Sequence, residues 1–163
     1  MPTSRDYSTY VLMWWTYSQN SEWASREYHS PSEWDGTRLP QQATYTRIFT
    51  DEAGESHFEE CNVELLPAEF APPAGPLNVL KLADGAAAIS LVGGLPDWQG
   101  DIPHPSPRRQ FMCTMTGSYE VTASDGSRRE FGPGRLLLLE DTHGKGHSTR
   151  IIDDCIVVAI SLE

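Results

Sequence analysis

From Ala43 onward the sequence is a series of short apolar or alternating runs separated by turn residues. Runs such as ATYTRIFT, SHFEECNVEL and RLLLLE are divided by DEAG, SDGS and GPG. A spacing of roughly 8–12 residues between turn signals is typical of short strands joined by tight turns. The longest run, QFMCTMTGSYEVTAS, is expected to form two strands that fold back at Gly117. The pattern therefore predicts an all-β protein, either a sandwich or a jelly-roll barrel.

Residues 1–43 differ in composition from the rest of the chain. Exposed indole rings are costly to leave in water, so we expect an N-terminal arm that packs its rings on the barrel or on a second subunit. A loosely ordered extension is the alternative. The predicted domains are thus an arm over 1–43 and a β-domain over 44–163. The arm contains four of the five tryptophans, namely Trp14, Trp15, Trp23 and Trp34.

Charge and motif content exclude several classes of function. The formal net charge of −11 argues against binding to nucleic acid or to an anionic membrane, since both need a basic surface. A basic leader followed by an apolar stretch is missing, which predicts a cytoplasmic protein. The sequence has no phosphate-binding glycine loop and no dinucleotide fingerprint, so no nucleotide cofactor is expected. Its three cysteines form no CxxC pair, so a zinc knuckle is not supported.

Two blocks of the sequence resemble the two motifs of the cupin superfamily. The first is GDIPHPSPRRQFMCTMTG, residues 100–117, and the second is FGPGRLLLLEDTHGKGH, residues 131–147. The resemblance covers the chain from residue 100 to its end. It implies a cupin-type double-stranded β-helix, the jelly-roll barrel, with the N-terminal arm attached. It also implies a homodimer formed through sheet edges, a role that the arm would suit.

The motif positions can be matched residue by residue. Gly117 falls at the closing glycine of the first motif, and Gln110, seven positions earlier, stands where the family has a glutamate ligand. His104 and Ser106 then occupy the two histidine positions. In the second block, GKGH places His147 at the family's last histidine. Two histidines are therefore retained, while the glutamate is replaced by glutamine and one histidine by serine.

The resemblance implies a metal site built from His104, Gln110 and His147. Cupin sites present three imidazoles and a carboxylate to Fe, Mn, Ni, Zn or Cu. Two imidazoles and an uncharged amide would bind a divalent ion weakly, and His143 is the candidate for restoring a third imidazole. The alternative is a metal-free pocket in which the same side chains serve as polar anchors.

Other side chains are candidates for binding a substrate. Arg108 shares strand parity with Gln110 and would hold a carboxylate or phosphate inside the barrel; a surface salt bridge is its alternative. Tyr119 would add an apolar wall, and Trp98 a wall or lid, although core packing explains Trp98 equally well. These residues together describe a pocket of the composition usual for small molecules.

The acidic pair after RLLLLE is the candidate for acid–base chemistry. Glu140 or Asp141 could transfer protons near His147 or orient its ring, and we assign proton transfer to Glu140 and His143. A solvated pair at the end of a strand is the alternative. The expected function is an enzyme acting on a small organic molecule, with a divalent metal and oxygenase-, decarboxylase- or isomerase-like chemistry. A metal-free cyclase or isomerase and a non-catalytic ligand-binding cupin are the alternatives.

Overall fold

The computed structural model describes residues 41–162, and in this range the protein is all-β, as the sequence predicted. No α-helix occurs among these residues, so none is long and apolar enough to cross a membrane. The predicted arm lies outside the described residues, except for its last three positions, which belong to the first strand. The strands are β1 Gln41–Thr50, β2 Ser56–Ala68, β3 Leu77–Val79, β4 Ala88–Gly94, β5 Gln110–Ala123, β6 Arg128–Phe131, β7 Leu136–Leu139 and β8 His147–Ser161.

The strands form one mixed sheet in the order β3-β2-β1-β7-β5-β8-β4, with β6 paired to β5. β1 runs parallel to β7, and the other neighbouring pairs are antiparallel. The order begins at β3 and ends at β4, so within residues 41–162 hydrogen bonding does not close the sheet into a barrel. The main core lies against the central strands β7, β5 and β8.

The two tight hairpins form where the turn chemistry predicts them. β1 and β2 pair from Gln41–Leu65 to Thr50–Ser56 around the DEAG segment. Gly54 in that turn has φ +83°, a conformation that glycine adopts without steric cost. The β5–β6 hairpin likewise turns at SDGS, where Gly126 has φ +88°.

Gly117 does not fold β5 into two strands, contrary to expectation. β5 is one strand of 14 residues, and its pairing with β8 shifts register between Thr114 and Tyr119. Because a register irregularity changes which residues face each side, Met112 before it and Tyr119 after it both contact the same core. Gly117 has φ +65°, and a Cβ there would lie 2.1 Å from the Asp154 carbonyl oxygen.

The sheet buries apolar side chains on both faces. One face of β7 contributes Leu137 and Leu139 to the main core, and its other face contributes Leu138 to a smaller cluster. The main core consists of Ile48, Tyr119, Val121, Ala123, Phe131, Leu137, Leu139, Ile151, Cys155 and Val157.

The tight approach at Gly117 predicts a large cost for adding a methyl group there. Gly126 provides the matched control, since its φ is also positive but nothing lies within 4 Å of a Cβ built on it. Gly126→Ala should lower the free energy of unfolding by roughly 1 kcal/mol, the cost of a left-handed alanine. Gly117→Ala adds a backbone clash and should cost about 3 kcal/mol. Urea unfolding of the two variants measures the difference. Equal losses of unfolding free energy would contradict the close approach of Gly117 to Asp154.

His57 ties the β1–β2 turn to the β5–β6 turn. Its Nδ1 lies 2.8 Å from Asp125 Oδ2, and its Nε2 lies 3.0 Å from Asp51 Oδ2. The hydrogen bonds to Asp51 and then Asp125 raise the pKa of His57. The hydrogen bond with His57 lowers the pKa of Asp51, whereas the pKa of Asp125 is lowered first by hydrogen bonds from Ser127 and then by the one with His57.

We therefore expect a pH-dependent contribution of His57 to stability. A raised pKa in the folded state stabilises the fold fully below the unfolded value of about 6.5 and loses this effect as pH rises through the folded value. The carboxylates of Asp51 and Asp125 keep their full contribution to stability down to about pH 4. Melting temperatures of wild type and His57→Gln should differ most near pH 5–6 and converge toward pH 9. A difference that grows toward pH 9 would contradict this assignment.

Candidate functional site

Residues 100–107, called here the proline strap, lie along the beginning of β8. The His104 N–H donates to the His147 carbonyl (2.9 Å), and the His147 N–H donates back to the His104 carbonyl (3.0 Å). Further along, the Thr149 N–H donates to the Gly100 carbonyl (2.8 Å). At Gly146, a Cβ would lie 2.1 Å from the His104 carbonyl carbon. The glycine before His147 therefore lets the strap approach closely enough for the two histidines to face each other.

The strap, β4, β5, β7 and β8 line a cavity of about 280 Å³, and some of its lining residues, Trp98 and His104 among them, are exposed to solvent. The structure brings together in this cavity the three predicted metal ligands and both predicted aromatic wall residues. The side chains that line it are Val92, Gly93, Gly94, Trp98, His104, Ser106, Pro107, Gln110, Met112, Tyr119, Val121, Leu137, Leu139, His147, Thr149, Ile151, Cys155 and Val157.

A buried carboxylate orients the imidazole of His147. The His147 Nδ1–H donates to Asp141 Oδ2 at 2.6 Å, with both side chains almost wholly inaccessible to solvent. Ser56 Oγ donates to the same oxygen at 3.3 Å, while Asp141 Oδ1 has no partner among the described residues. Because Nδ1 carries the proton of this hydrogen bond, Nε2 is left with its lone pair. No described side chain or backbone group bonds to Nε2, so it is free to act on a molecule in the cavity.

The other polar side chains adjoin this pair. The His104 ring lies 5.2 Å from the His147 ring between centroids, and its Nδ1 donates to the Ile102 carbonyl at 2.8 Å. Ser106 Oγ donates to the Arg108 carbonyl at 2.8 Å and accepts a long bond of 3.4 Å from Gln110 Nε2. His104 and Ser106 belong to the strap, and each faces a partner on a strand, His147 in β8 and Gln110 in β5. These four side chains are called here the polar cluster at the strap.

The donor set of the cavity differs from the metal site that the resemblance implies. In the part of the chain that the structure describes, no three His, Cys, Asp or Glu side chains come together in an arrangement that could hold a metal ion. The cavity offers the imidazoles of His104 and His147 and the amide oxygen of Gln110. This set does not reproduce three imidazoles and a carboxylate, so it fits only a weak site.

Burial keeps two potentially acidic wall residues protonated. Burial raises the pKa of the Tyr119 phenol and that of the Cys155 thiol. Removing an ion from water without a partner is unfavourable, so both groups are neutral at physiological pH. The deep part of the cavity is consequently uncharged.

Arg108 lies outside the lining of the cavity. Alternation with Gln110 predicted that it would point inward, but β5 begins only at Gln110, and the preceding residues are not strand. In that stretch the Ser106 hydroxyl bonds to the Arg108 carbonyl, and the Arg108 side chain is exposed. Strand parity therefore does not extend to Arg108.

Glu140 and His143 also lie outside the cavity. Glu140 Oε1 accepts from Arg109 Nε at 2.5 Å, and its other oxygen pairs with Arg47. His143 is exposed, and its carbonyl accepts from Thr50 Oγ1 at 2.9 Å. The loop that carries His143 is bound to the β1–β2 turn through its backbone, and His143 does not line the cavity.

Asp141, rather than Glu140, is the acidic residue that contacts His147. Asp141 continues the alternation of Leu137 and Leu139, which face the main core. From sequence, Glu140 and Asp141 are both candidates for this contact, because four consecutive leucines do not reveal which parity faces inward. Knowledge of the inward face of β7 would have selected it.

Comparison of the sequence with protein-family models gives no match, and comparison with characterised proteins gives none. The residues of the site therefore carry the functional argument alone.

Proposed function

We propose that the protein is a metal-independent enzyme that moves a proton on a small organic molecule, as isomerases and cyclases do. The observation that carries the proposal is the buried Asp141–His147 pair, whose free Nε2 adjoins a mainly apolar cavity. An imidazole oriented by a buried carboxylate is a common general base and acid. Function is argued from this site, because a fold alone does not specify a reaction.

In the proposed reaction, His147 Nε2 removes a proton from a carbon next to a carbonyl group. The C–H electron pair moves toward the carbonyl oxygen as the proton reaches Nε2. The Asp141 carboxylate stabilises the imidazolium that forms. Gln110 lies within the same polar cluster, and its amide N–H is the candidate donor to the developing oxyanion. For a substrate with a β,γ double bond, the electron pair is shared over a dienolate, and return of the proton to its γ-carbon completes an isomerisation with the double bond now at α,β.

The proposal includes a cupin-type jelly roll for residues 44–163. Two features support it: the all-β sheet, and the common cavity reached by both motif blocks, through His104 and Gln110 from the first and His147 from the second. The homodimer stays a prediction. β4 is the last strand of the sheet, exposes Ile89 and Leu91, and carries no charged residue. Because charged side chains are what usually block pairing at a sheet edge, this edge can pair with the same edge of a second copy even though the chain has a net negative charge.

Proton transfer at His147 predicts deuterium exchange that depends on the pair. A panel of small ketones and aldehydes is incubated with the full chain in D₂O, and incorporation at the α-carbon is followed by NMR. For any compound that exchanges, His147→Gln should slow the reaction by roughly 10²–10⁴-fold, the usual contribution of a general base. Asp141→Asn should slow it by about 10–100-fold.

His57→Gln serves as the control, since this histidine lies in the turn region and not in the cavity. Melting curves establish that each variant is folded at the assay temperature. Exchange that persists in His147→Gln would overturn the proposal. If no compound in a broad carbonyl panel exchanges, the result favours the non-catalytic ligand-binding module.

A second candidate is a weak divalent metal site on His104, His147 and Gln110. The specific observation that favours it is that both imidazoles bond through Nδ1 to an oxygen and leave Nε2 free. Outer-sphere oxygens of this kind orient histidine ligands in metalloproteins. A bound ion would supply Lewis acidity toward a carbonyl oxygen.

Metal content separates the two candidates. Under metal-replete expression, the proposed metal-independent enzyme should purify with well below one equivalent of Fe, Mn, Ni, Zn or Cu by elemental analysis. His104→Ala and His147→Ala should leave that content unchanged. Stoichiometric metal in the wild type that is lost in both variants would establish the second candidate instead.

A further inference from the structure

The wall of the cavity contains no formally charged side chain. None of its lining residues is Asp, Glu, Lys or Arg, although the chain contains 23 acidic and 12 basic residues. Asp141 lies behind His147 and directs one oxygen to it. Arg108, which could have paired with an anion, is exposed outside the lining. A charged ligand would therefore find no carboxylate, ammonium or guanidinium partner in the wall.

Burial of an unpaired ion is costly. Moving a charged group out of water without a partner costs several kcal/mol even after relaxation, which exceeds what a small apolar contact area returns. The buried Asp141 carboxylate adds repulsion toward an anion. The cavity therefore selects against ions, and against anions most strongly.

Polar and apolar walls occupy different parts of the cavity. The polar groups, in which Ser106 contacts Gln110 and His104 faces His147, cluster at the strap. The remaining wall is formed largely by core residues of β5, β7 and β8, such as Val121, Leu139 and Val157. A ligand that matches this division has an apolar body and a single polar end.

We propose that the cavity takes a small uncharged carbonyl compound, with its apolar body on the core residues and its oxygen at the strap cluster. This deepens, and rests on, the proposed proton transfer at His147. The volume of about 280 Å³ lies just below the usual range of roughly 300–1,000 Å³ for drug-sized ligands. The compound is therefore smaller than a typical drug and holds on the order of ten non-hydrogen atoms, given about 30 Å³ for a water-sized group.

Gln110 is the residue that determines this selectivity. Its amide donates only a long bond of 3.4 Å to Ser106, so its N–H groups remain able to donate to a carbonyl oxygen. A carboxylate at this position, as the cupin resemblance implies for the family, would accept but not donate. The amide thus provides polarity without charge at the point where the ligand oxygen is placed.

Four probes of matched size test the inference with the full chain. They are acetophenone, a neutral ketone; isopropylbenzene, a neutral hydrocarbon; benzoate, an anion; and 2-phenylethylamine, a cation. Binding is measured by calorimetry or by ligand-observed NMR. Acetophenone should bind at least about 100-fold more tightly than benzoate and the amine. It should bind roughly 2–10-fold more tightly than isopropylbenzene, the contribution of one net hydrogen bond.

Two neighbouring substitutions locate the binding. Thr149 lines the cavity, whereas the Arg150 side chain is exposed and forms a surface pair with Glu120. Thr149→Trp should abolish acetophenone binding by filling the cavity, and Arg150→Trp should leave it unchanged.

Gln110→Met should bring the ratio of acetophenone to isopropylbenzene affinity close to one. This ratio is read within one variant, so a general loss of stability does not imitate the result.

Benzoate or the amine binding as tightly as acetophenone would overturn the inference. So would acetophenone binding that survives Thr149→Trp in a folded variant. These outcomes leave the proposed function standing, because His147 could act on an ionic substrate as well. Conversely, the affinities could follow the predicted order while deuterium exchange is as fast in His147→Gln as in the wild type. That result would overturn the proposed function alone.

Discussion

The hydrogen bond between the buried Asp141 carboxylate and the His147 imidazole is the contact on which the site depends. It holds the proton on Nδ1 and thereby leaves Nε2 as a base toward the cavity. It also joins the end of β7 to the beginning of β8, across the loop that contains His143. The main chain reinforces the same place, because the Ser106 N–H donates to the Asp141 carbonyl at 3.0 Å.

Two close approaches between backbone segments position the side chains around the Asp141–His147 pair. At Gly146 the strap touches the chain just before His147, and at Gly117 the bent strand β5 touches β8 at Asp154. The first brings His104 opposite His147, and the second turns Tyr119 to the same face as Met112. Neither position leaves room for a side chain. Backbone geometry thus places polar side chains at one end of an otherwise apolar cavity.

Much of the fold and several of the residues that line the cavity can be predicted from sequence. The directions in which individual side chains point are harder to predict. Turn residues predict both hairpins, and motif spacing brings His104, Gln110 and His147 together. The acid that orients His147 was not selected, because four leucines in β7 carry no alternating signal. Arg108 was placed inward by parity, which fails where a proline-rich stretch is not strand. From sequence, Gly117 is predicted to be a turn between two strands, but it lies at a bulge within the single strand β5. Only the pairing of β5 with β8 distinguishes a turn from a bulge.

The tautomer of His147 is the most direct test of this account. Nitrogen-15 NMR of the imidazole, recorded where the ring is neutral, distinguishes a proton on Nδ1 from a proton on Nε2. The Asp141–His147 hydrogen bond predicts that Nδ1 is protonated in the wild type and that Asp141→Leu, which removes the acceptor, gives a mixture of the two tautomers. A wild-type proton on Nε2, or a wild-type ring that matches the Asp141→Leu variant, would contradict it.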